Sequence, residues 1–250
     1  MESAETPEGE FDPGVISKKH PLKRIMTNNP FWRYISKHVP LPYIIAEFFF
    51  GAWMSCIAIN LIGSFSEPSD PGLVLYAVTA AYMVNVIWGL IDGWTYALGI
   101  TMAGSEDDRA IEKLLIDRGD EHAKQKLIES LNDGPSRYLS YEEKEWVVET
   151  IVDSRPEVHP KKAYRLGRRD YSVVISFLMI DVLMATLTVI PFVIFSDTSI
   201  AMIASRLVTI TAFACVAYIY AKYLNRNWVF WVALLSLLGV IIAQATWLYS

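Results

Sequence analysis

The chain has 250 residues, of which 53% are hydrophobic and 20% are charged, and its formal net charge is −5. So high an apolar fraction excludes an ordinary soluble domain of this length. Cys56 and Cys215 both fall inside apolar runs, so the sequence indicates neither a disulfide framework nor a zinc-binding spacing.

The first forty residues divide into an acidic part and a basic part. Residues 1–15 carry five acids and no base, which predicts a disordered acidic tail. Residues 16–40 form a basic juxtamembrane segment, in which lysine and arginine are mixed with aromatic residues. Within it, Asn29–His38 has the pattern of a short amphipathic helix lying on an anionic membrane surface. A simple positive flank to the first membrane helix explains the same residues equally well.

Five apolar runs are long enough to cross a bilayer, which takes roughly twenty helical residues. Two of them lie within residues 41–103 and three within residues 171–250. The runs cover residues 41–64, 72–103, 171–195, 199–221 and 227–248. The last three are separated by connections of only a few residues, so we expect adjacent helices of alternating direction.

Between these groups lies a charged segment, residues 104–170, with 16 of the 27 acids and 13 of the 22 bases. Three short amphipathic helices are predicted in it, beginning at Ser105, near Asp120 and at Ser140. The last has a capping-box pattern, Ser140 with Glu143. The predicted fold is therefore an all-α polytopic membrane protein, with five transmembrane helices and a three-helix insert between the second and third.

The distribution of basic residues predicts the orientation. In the predicted topology, 21 of the 22 lysines and arginines fall on one side of the membrane. By the positive-inside rule, the N-terminus and residues 104–170 are cytoplasmic, and the C-terminus lies on the far side. The remaining base, Arg206, lies in the outer half, where we expect it to reach outward toward Asp197.

Three carboxylates fall inside the predicted spans, on three different helices: Glu47, Asp92 and Asp181. A charge at the bilayer centre costs at least about 2.5–3.5 kcal/mol and usually marks a functional site. One hypothesis is that these acids line a water-filled vestibule open to the cytoplasm. They would then bind a cation such as Mg²⁺, Ca²⁺, Mn²⁺ or Fe²⁺, or carry protons. Alternatively each is satisfied locally, Asp92 by Thr95 and Glu47 by reaching the interface. Softer sulfur ligands are available at Met54, Met83 and Met102.

The insert also carries acids at helical spacing. Glu142, Glu145 and Glu149 are three and four residues apart, so they share one face of a helix, and Asp108 and Glu112 form an i, i+4 pair. Such like-charged neighbours cost a few tenths of a kcal/mol each unless a cation lies between them. A divalent-metal platform would explain them. The alternative is a solvated helix face, relieved by Lys113 and Lys144.

The layout resembles the vacuolar iron transporter family, over about residues 40–248. Five stretches carry the local resemblance: Phe50-Gly51 through Ile62-Gly63, Asn85–Gly89 with Ala97–Glu106, and Ser176-Phe177 with Pro191-Phe192. The resemblance implies exchange of Fe²⁺ or Mn²⁺ for protons, a homodimer, and metal collected on the glutamates of the insert. Glu142, Glu145 and Glu149 are the matching positions.

The chain departs from this family in its membrane helices. Phe50 stands where the family has the aspartate of an Asp-Gly pair, and Asn85 stands where it has a glutamate. Glu47 is about one turn before Phe50, and Asp92 two turns after Asn85, so either the charges are displaced along the same faces or they have been lost. The chain thus resembles a divergent member that does not retain the family's intramembrane acidic motif.

These observations predict a divalent metal cation transporter, for iron or manganese, coupled to protons. The predicted pathway comprises Glu47, Met83, Asn85, Asp92 and Asp181. The predicted metal-gathering acids are Asp108, Glu112, Glu142, Glu145 and Glu149. The alternative is a non-transporting membrane protein whose cytoplasmic insert docks a partner.

The other expectations follow from missing motifs. The sequence has no phosphate-binding loop, nucleophile elbow or HExxH motif, so we expect no enzymatic activity. We expect no resident cofactor apart from a bound or transported divalent cation, and no nucleic-acid partner. The expected partners are the lipid bilayer, the cation and a second copy of the chain.

Overall fold

A computed structural model describes residues 29–65, 72–132, 134–154 and 167–245, and in these ranges the chain is all-α, with no β-strand. The predicted acidic tail at 1–15 and the first part of the basic segment lie outside the described residues. The helices are α1 Pro30–His38, α2 Leu41–Phe65, α3 Leu73–Ile116, α4 Glu121–Ser130, α5 Tyr141–Asp153, α6 Arg168–Ile194, α7 Thr198–Tyr223 and α8 Trp228–Ala245, with a 3₁₀ turn at Gly134–Tyr138.

In the part of the chain that the structure describes, four helices are long and apolar enough to cross a membrane: α2, α3, α6 and α7. They carry many exposed apolar side chains, such as Leu75 and Val193, which only a lipid environment would cover at low cost. This confirms the prediction of a membrane protein. The predicted fifth span corresponds to α8, whose described apolar stretch Trp228–Ile241 is shorter than a full crossing. The fifth crossing therefore stays a prediction.

The chain forms two compact units. The first takes the residues up to Gly89 and those from Ser176 onward, and the second is Leu90–Ile175. In the first unit, small residues bring α2, α3, α6 and α7 together: Ala77, Ala81 and Ala201 are buried with Ile59 and Phe192. A second apolar group stacks Phe49 of α2 on Phe213 of α7, with ring centroids 4.3 Å apart.

The second unit has its own apolar core, formed by one face from each of α3, α4 and α5. The buried residues are Ala110, Ile111, Leu114, Ala123, Leu127, Ile128, Val148 and Val152. Asp120 caps α4 by accepting a hydrogen bond from Ala123 N, and the predicted Ser140–Glu143 capping box is present on α5. The helices predicted near Asp120 and at Ser140 are present as α4 and α5, and they pack against the end of α3.

The first of these helices does not begin at Ser105. It is the end of α3, which continues without a break from Leu73 to Ile116 over 44 residues. The polar sequence after Ala103 suggested a new start, but no proline stops the helix there and Ser105 is itself buried. The predicted boundary at residues 103–104 is thus a change in composition inside one helix.

The predicted short helix before the first span is present as α1. Asn29 caps it by accepting a hydrogen bond from Phe31 N at 2.9 Å. Ile35 is fully buried, and the Trp32 ring contacts Phe48 of α2 at 5.5 Å between centroids. Arg33 and Lys37 are exposed, so the helix is amphipathic as predicted, with its apolar side packed on α2.

Candidate functional site

Three polar side chains are fully buried in the first unit where α2, α3 and α6 meet. They are Ser55, Asn85 and Asp181, and with Gly51 and Gly89 they form what we call the buried polar site. Polar groups in such a position cost free energy unless they are hydrogen-bonded or hold a ligand. This group is therefore the strongest candidate for function in the described chain.

Helix α2 contributes one face to this site. Glu47, Gly51 and Ser55 are each four residues apart, so they lie above one another along the helix. Glu47 is also buried, with 4% of its surface exposed. Sequence reasoning singled out Glu47 for its charge. It missed Gly51 and Ser55, although the i, i+4 spacing from Glu47 was a usable signal.

Asn85 of α3 is held in one orientation. Its Nδ2 donates to Ser55 Oγ at 2.7 Å and to the Ala81 carbonyl at 2.8 Å. Because a carbonyl can only accept, the amide nitrogen must face Ala81, and Oδ1 must point the other way. Oδ1 is buried and receives no hydrogen bond from any residue in the described ranges. An acceptor left in this state costs about 1–3 kcal/mol.

Asp181 of α6 lies against the backbones of two neighbouring helices. A Cβ atom built on Gly51 would be 2.9 Å from Asp181 Oδ1 and 3.1 Å from Asn85 Oδ1. One built on Gly89 would be 2.8 Å from Asp181 Oδ2. Only glycine allows so close an approach at both positions. Because these two glycines have no side chain, the carboxylate of Asp181 and the amide oxygen of Asn85 can both lie close to Gly51.

The site is rich in oxygen acceptors. Asp181 provides two carboxylate oxygens, and Asn85 provides its amide oxygen. The N–H groups of the same amide already donate to Ser55 and to the Ala81 carbonyl. Carboxylate and amide oxygens are the ligands preferred by hard cations. A proton shared within the site would satisfy the same acceptors. The chemistry of the site is thus that of a small cation or a proton.

The structure brings together only part of the predicted pathway. Asn85 Oδ1 and Asp181 Oδ1 both lie beside Gly51, and Glu47 lies one turn from Gly51 on the same face of α2. Met83 is 55% exposed on α3 and does not share the Asn85 face. Asp92 is half-buried and belongs to the second unit. The indole Nε1 of Trp88, which was not predicted, is buried and has no hydrogen-bond partner in the described part of the chain.

The predicted metal-gathering acids of the second unit do not converge. Glu145 and Glu149 of α5 both pair with Lys124 of α4, and the Lys124 Nζ to Glu149 Oε1 distance is 3.4 Å. The hydrogen bond to Glu145 raises the pKa of Lys124, so an ammonium group occupies the position that a cation would take. Glu142 and Asp108 are exposed and Glu112 is half-buried. Across the residues that the structure describes, no three His, Cys, Asp or Glu side chains could hold a metal ion together.

The positive charges beside these acids are not the ones expected from the sequence, which were Lys113 and Lys144. Lys144 is buried and donates to Asn132 Oδ1 at 2.7 Å, so it is used within the core of the insert. Lys113 is exposed. The positive charge comes instead from Lys124 on the neighbouring helix, which no spacing along α5 could have indicated.

A second polar group of the first unit lies nearer the other end of α2. Arg206 Nε of α7 donates to Asn60 Oδ1 at 2.8 Å, and Asn60 Nδ2 donates to Cys56 Sγ at 3.3 Å. Asn60 and Thr209 are buried, whereas Arg206 is half-buried. The expected partner of Arg206 was Asp197, which instead caps α7 by accepting from Ile200 N.

Comparison with known proteins adds no assignment to this geometry. No protein-family model matches the chain, and no curated protein matches it either.

Proposed function

We propose that this protein transports a divalent metal cation, such as Fe²⁺ or Mn²⁺, across a membrane in exchange for protons. The observation that carries the proposal is the buried polar site. There, the carboxylate of Asp181 is fully buried, and Asn85 Oδ1 has no donor among the described residues. An oxygen of each lies within 3.1 Å of the position that a Cβ on Gly51 would take. Intramembrane carboxylates facing a bundle interior most often belong to ion or proton pathways.

The charges near the site fit a divalent ion. A dehydrated cation in a low-dielectric interior requires nearby negative charge of similar size. Asp181 supplies one negative charge, and Glu47 supplies a second from the same face of α2, one turn from Gly51. Protons on these two acids would neutralise them when the metal leaves. In this proposal the resemblance to vacuolar iron transporters reflects shared function, and the transporter is a homodimer with a cytoplasmic insert.

The test is flux through the full-length chain reconstituted in liposomes. Manganese entry is followed with a metal-sensitive dye trapped inside, with and without a pH gradient. We expect Asp181→Asn to lower the initial rate at least about tenfold, because it removes the negative charge that Asp181 supplies to the site. Asp153→Asn is the matched control, since it makes the same change at an exposed carboxylate paired with Arg118 at 2.7 Å. An Asp181→Asn rate equal to that of the wild type would contradict the proposal.

A second candidate is a non-transporting membrane protein whose insert docks a partner. One observation favours it: Tyr138, Tyr141 and Trp146 are exposed in the second unit, and Trp146 is 66% exposed. Exposed aromatic residues are enriched at protein interfaces. This candidate predicts no manganese flux and no change in melting temperature with manganese, whereas a metal-binding transporter is stabilised by its ion.

A further inference from the structure

Arg206 is a half-buried cation inside a helix that is apolar enough to cross a membrane. It lies eight residues after the start of α7, so roughly 12 Å along the helix at 1.5 Å per residue. Asn60, its partner, lies five residues before the end of α2. Both residues are therefore near the end of the bundle at which α2 finishes and α7 begins. An arginine at this depth can extend its guanidinium toward the lipid headgroups.

The contact with Asn60 uses one of the five N–H donors of the guanidinium. The structure describes no residue that accepts a hydrogen bond from its Nη1 or Nη2 groups, and no carboxylate that pairs with Arg206. Asn60 is neutral and is itself fixed by Cys56 Sγ. The described protein thus orients this charge without neutralising it. A charge held near hydrocarbon is costly unless an anion accompanies it.

We propose that Arg206 binds a phosphate oxyanion at this face of the bilayer, and that Asn60 is the positioning residue that fixes the guanidinium. The two Nη groups form a planar fork, which matches two phosphate oxygens. The phosphate belongs either to a phospholipid headgroup or to free inorganic phosphate. This site is separate from the buried polar site and does not depend on the proposed transport.

The experiment uses the delipidated full chain in detergent and follows its melting temperature. The three additives are a short-chain phosphatidylglycerol, inorganic phosphate, and a diacylglycerol that has the acyl chains without the phosphate. We expect phosphatidylglycerol to raise the melting temperature in a saturable manner and diacylglycerol to have no effect. A saturable rise with inorganic phosphate as well would identify the free ion as a ligand of the same site.

Two variants assign the effect to Arg206. Arg206→Gln should weaken the apparent affinity for the phosphate-bearing additive at least about tenfold, because charge-assisted hydrogen bonds are lost. Asn60→Asp keeps the size of the side chain and places a carboxylate 2.8 Å from Arg206 Nε. It should abolish the response by neutralising the guanidinium while leaving the fold intact.

The control variant is Arg137→Gln, which makes the same change at an exposed arginine stacked on Tyr138 in the second unit. Its response should equal that of the wild type. The proposal is overturned if the wild type does not respond to either phosphate compound. It is also overturned if Arg206→Gln or Asn60→Asp responds as the wild type does. Should Arg206→Gln fail to fold, Asn60→Asp decides alone.

Discussion

Replacing Gly89 by alanine tests the close approach of α3 to α6 at the buried polar site. The added Cβ would lie 2.8 Å from Asp181 Oδ2 and 2.9 Å from the Leu178 Cα. Because the second atom belongs to the backbone, no side-chain rotation can relieve both contacts. Either the two helices separate or the carboxylate is displaced.

The expected cost of this change combines two opposing effects. Overpacking a tight interior costs about 1–3 kcal/mol. Alanine favours a helix over glycine by about 1 kcal/mol, which offsets part of that cost. The net loss of up to about 2 kcal/mol should lower the melting temperature by up to about 8 °C for a chain of this size. Tryptophan fluorescence of the full chain in detergent measures it.

Gly99→Ala is the matched control, on the same helix. A Cβ at Gly99 meets no atom within 4 Å, so only the gain in helix propensity applies. Its melting temperature should equal or exceed that of the wild type. If Gly89→Ala melts at the same temperature as Gly99→Ala or above it, the packing described around Asp181 is incorrect.

Three smaller changes follow from individual contacts. Ser55→Ala removes an acceptor of the buried Asn85 amide and should lower the melting temperature by about 2–4 °C, since such a bond is worth about 1 kcal/mol. Ser140→Ala removes the cap of α5, worth about 1 kcal/mol, and should speed hydrogen exchange in its first turn. The hydrogen bond from Lys126 lowers the pKa of Glu106, so this pair stabilises the fold above the usual carboxyl pKa and loses that effect as pH falls through the lowered value. Glu106→Gln should remove this pH dependence from hydrogen exchange in α4.

Each of these has its own contrary result. An unchanged melting temperature in Ser55→Ala would mean that the Ala81 carbonyl alone satisfies the Asn85 amide. Exchange in the first turn of α5 that is as slow in Ser140→Ala as in the wild type would show that Glu143 alone secures the helix start. An α4 pH profile that persists in Glu106→Gln would assign the dependence to a different carboxylate.

The sequence was sufficient to locate the helices, because long apolar runs and capping residues are local signals. The pattern around Asp120 and Ser140 predicted α4 and α5, and the runs predicted α2, α3, α6 and α7. The start expected at Ser105 was wrong for a physical reason. Polar residues can continue an existing helix as readily as they can begin one, so composition alone does not mark a boundary.

The contacts of the buried polar site could not be derived from the sequence, because they depend on how each helix is rotated. Asp181 and Asn85 were both selected for their polarity, but nothing in their spacing shows that both lie beside Gly51. Gly51 and Gly89, which allow α2 and α3 to approach Asp181, gave a weaker indication of this contact in the sequence. Gly51 follows Glu47 by four residues, and Gly89 follows Asn85 by four. Small residues at that spacing often mark helix contacts in membranes.

In the insert, the surroundings of a regular pattern could not be read from the pattern itself. Glu145 and Glu149 share a face as predicted, but the face is directed at Lys124 of α4. The spacing of acids along α5 does not indicate that a lysine of α4 lies beside them. Arg206 is a similar case, because its partner Asn60 is 146 positions away in the chain.

The docking of α1 on α2 limits how far the chain can be shortened from its beginning. Asn29 supplies the cap that starts α1, and Ile35 is fully covered by its neighbours. A truncated version that begins at Asn29 would keep this cover, whereas one that begins at Leu41 would uncover the ring of Phe48 that Trp32 now contacts. A tag or fusion that replaces residues 29–40 would therefore uncover this face of α2.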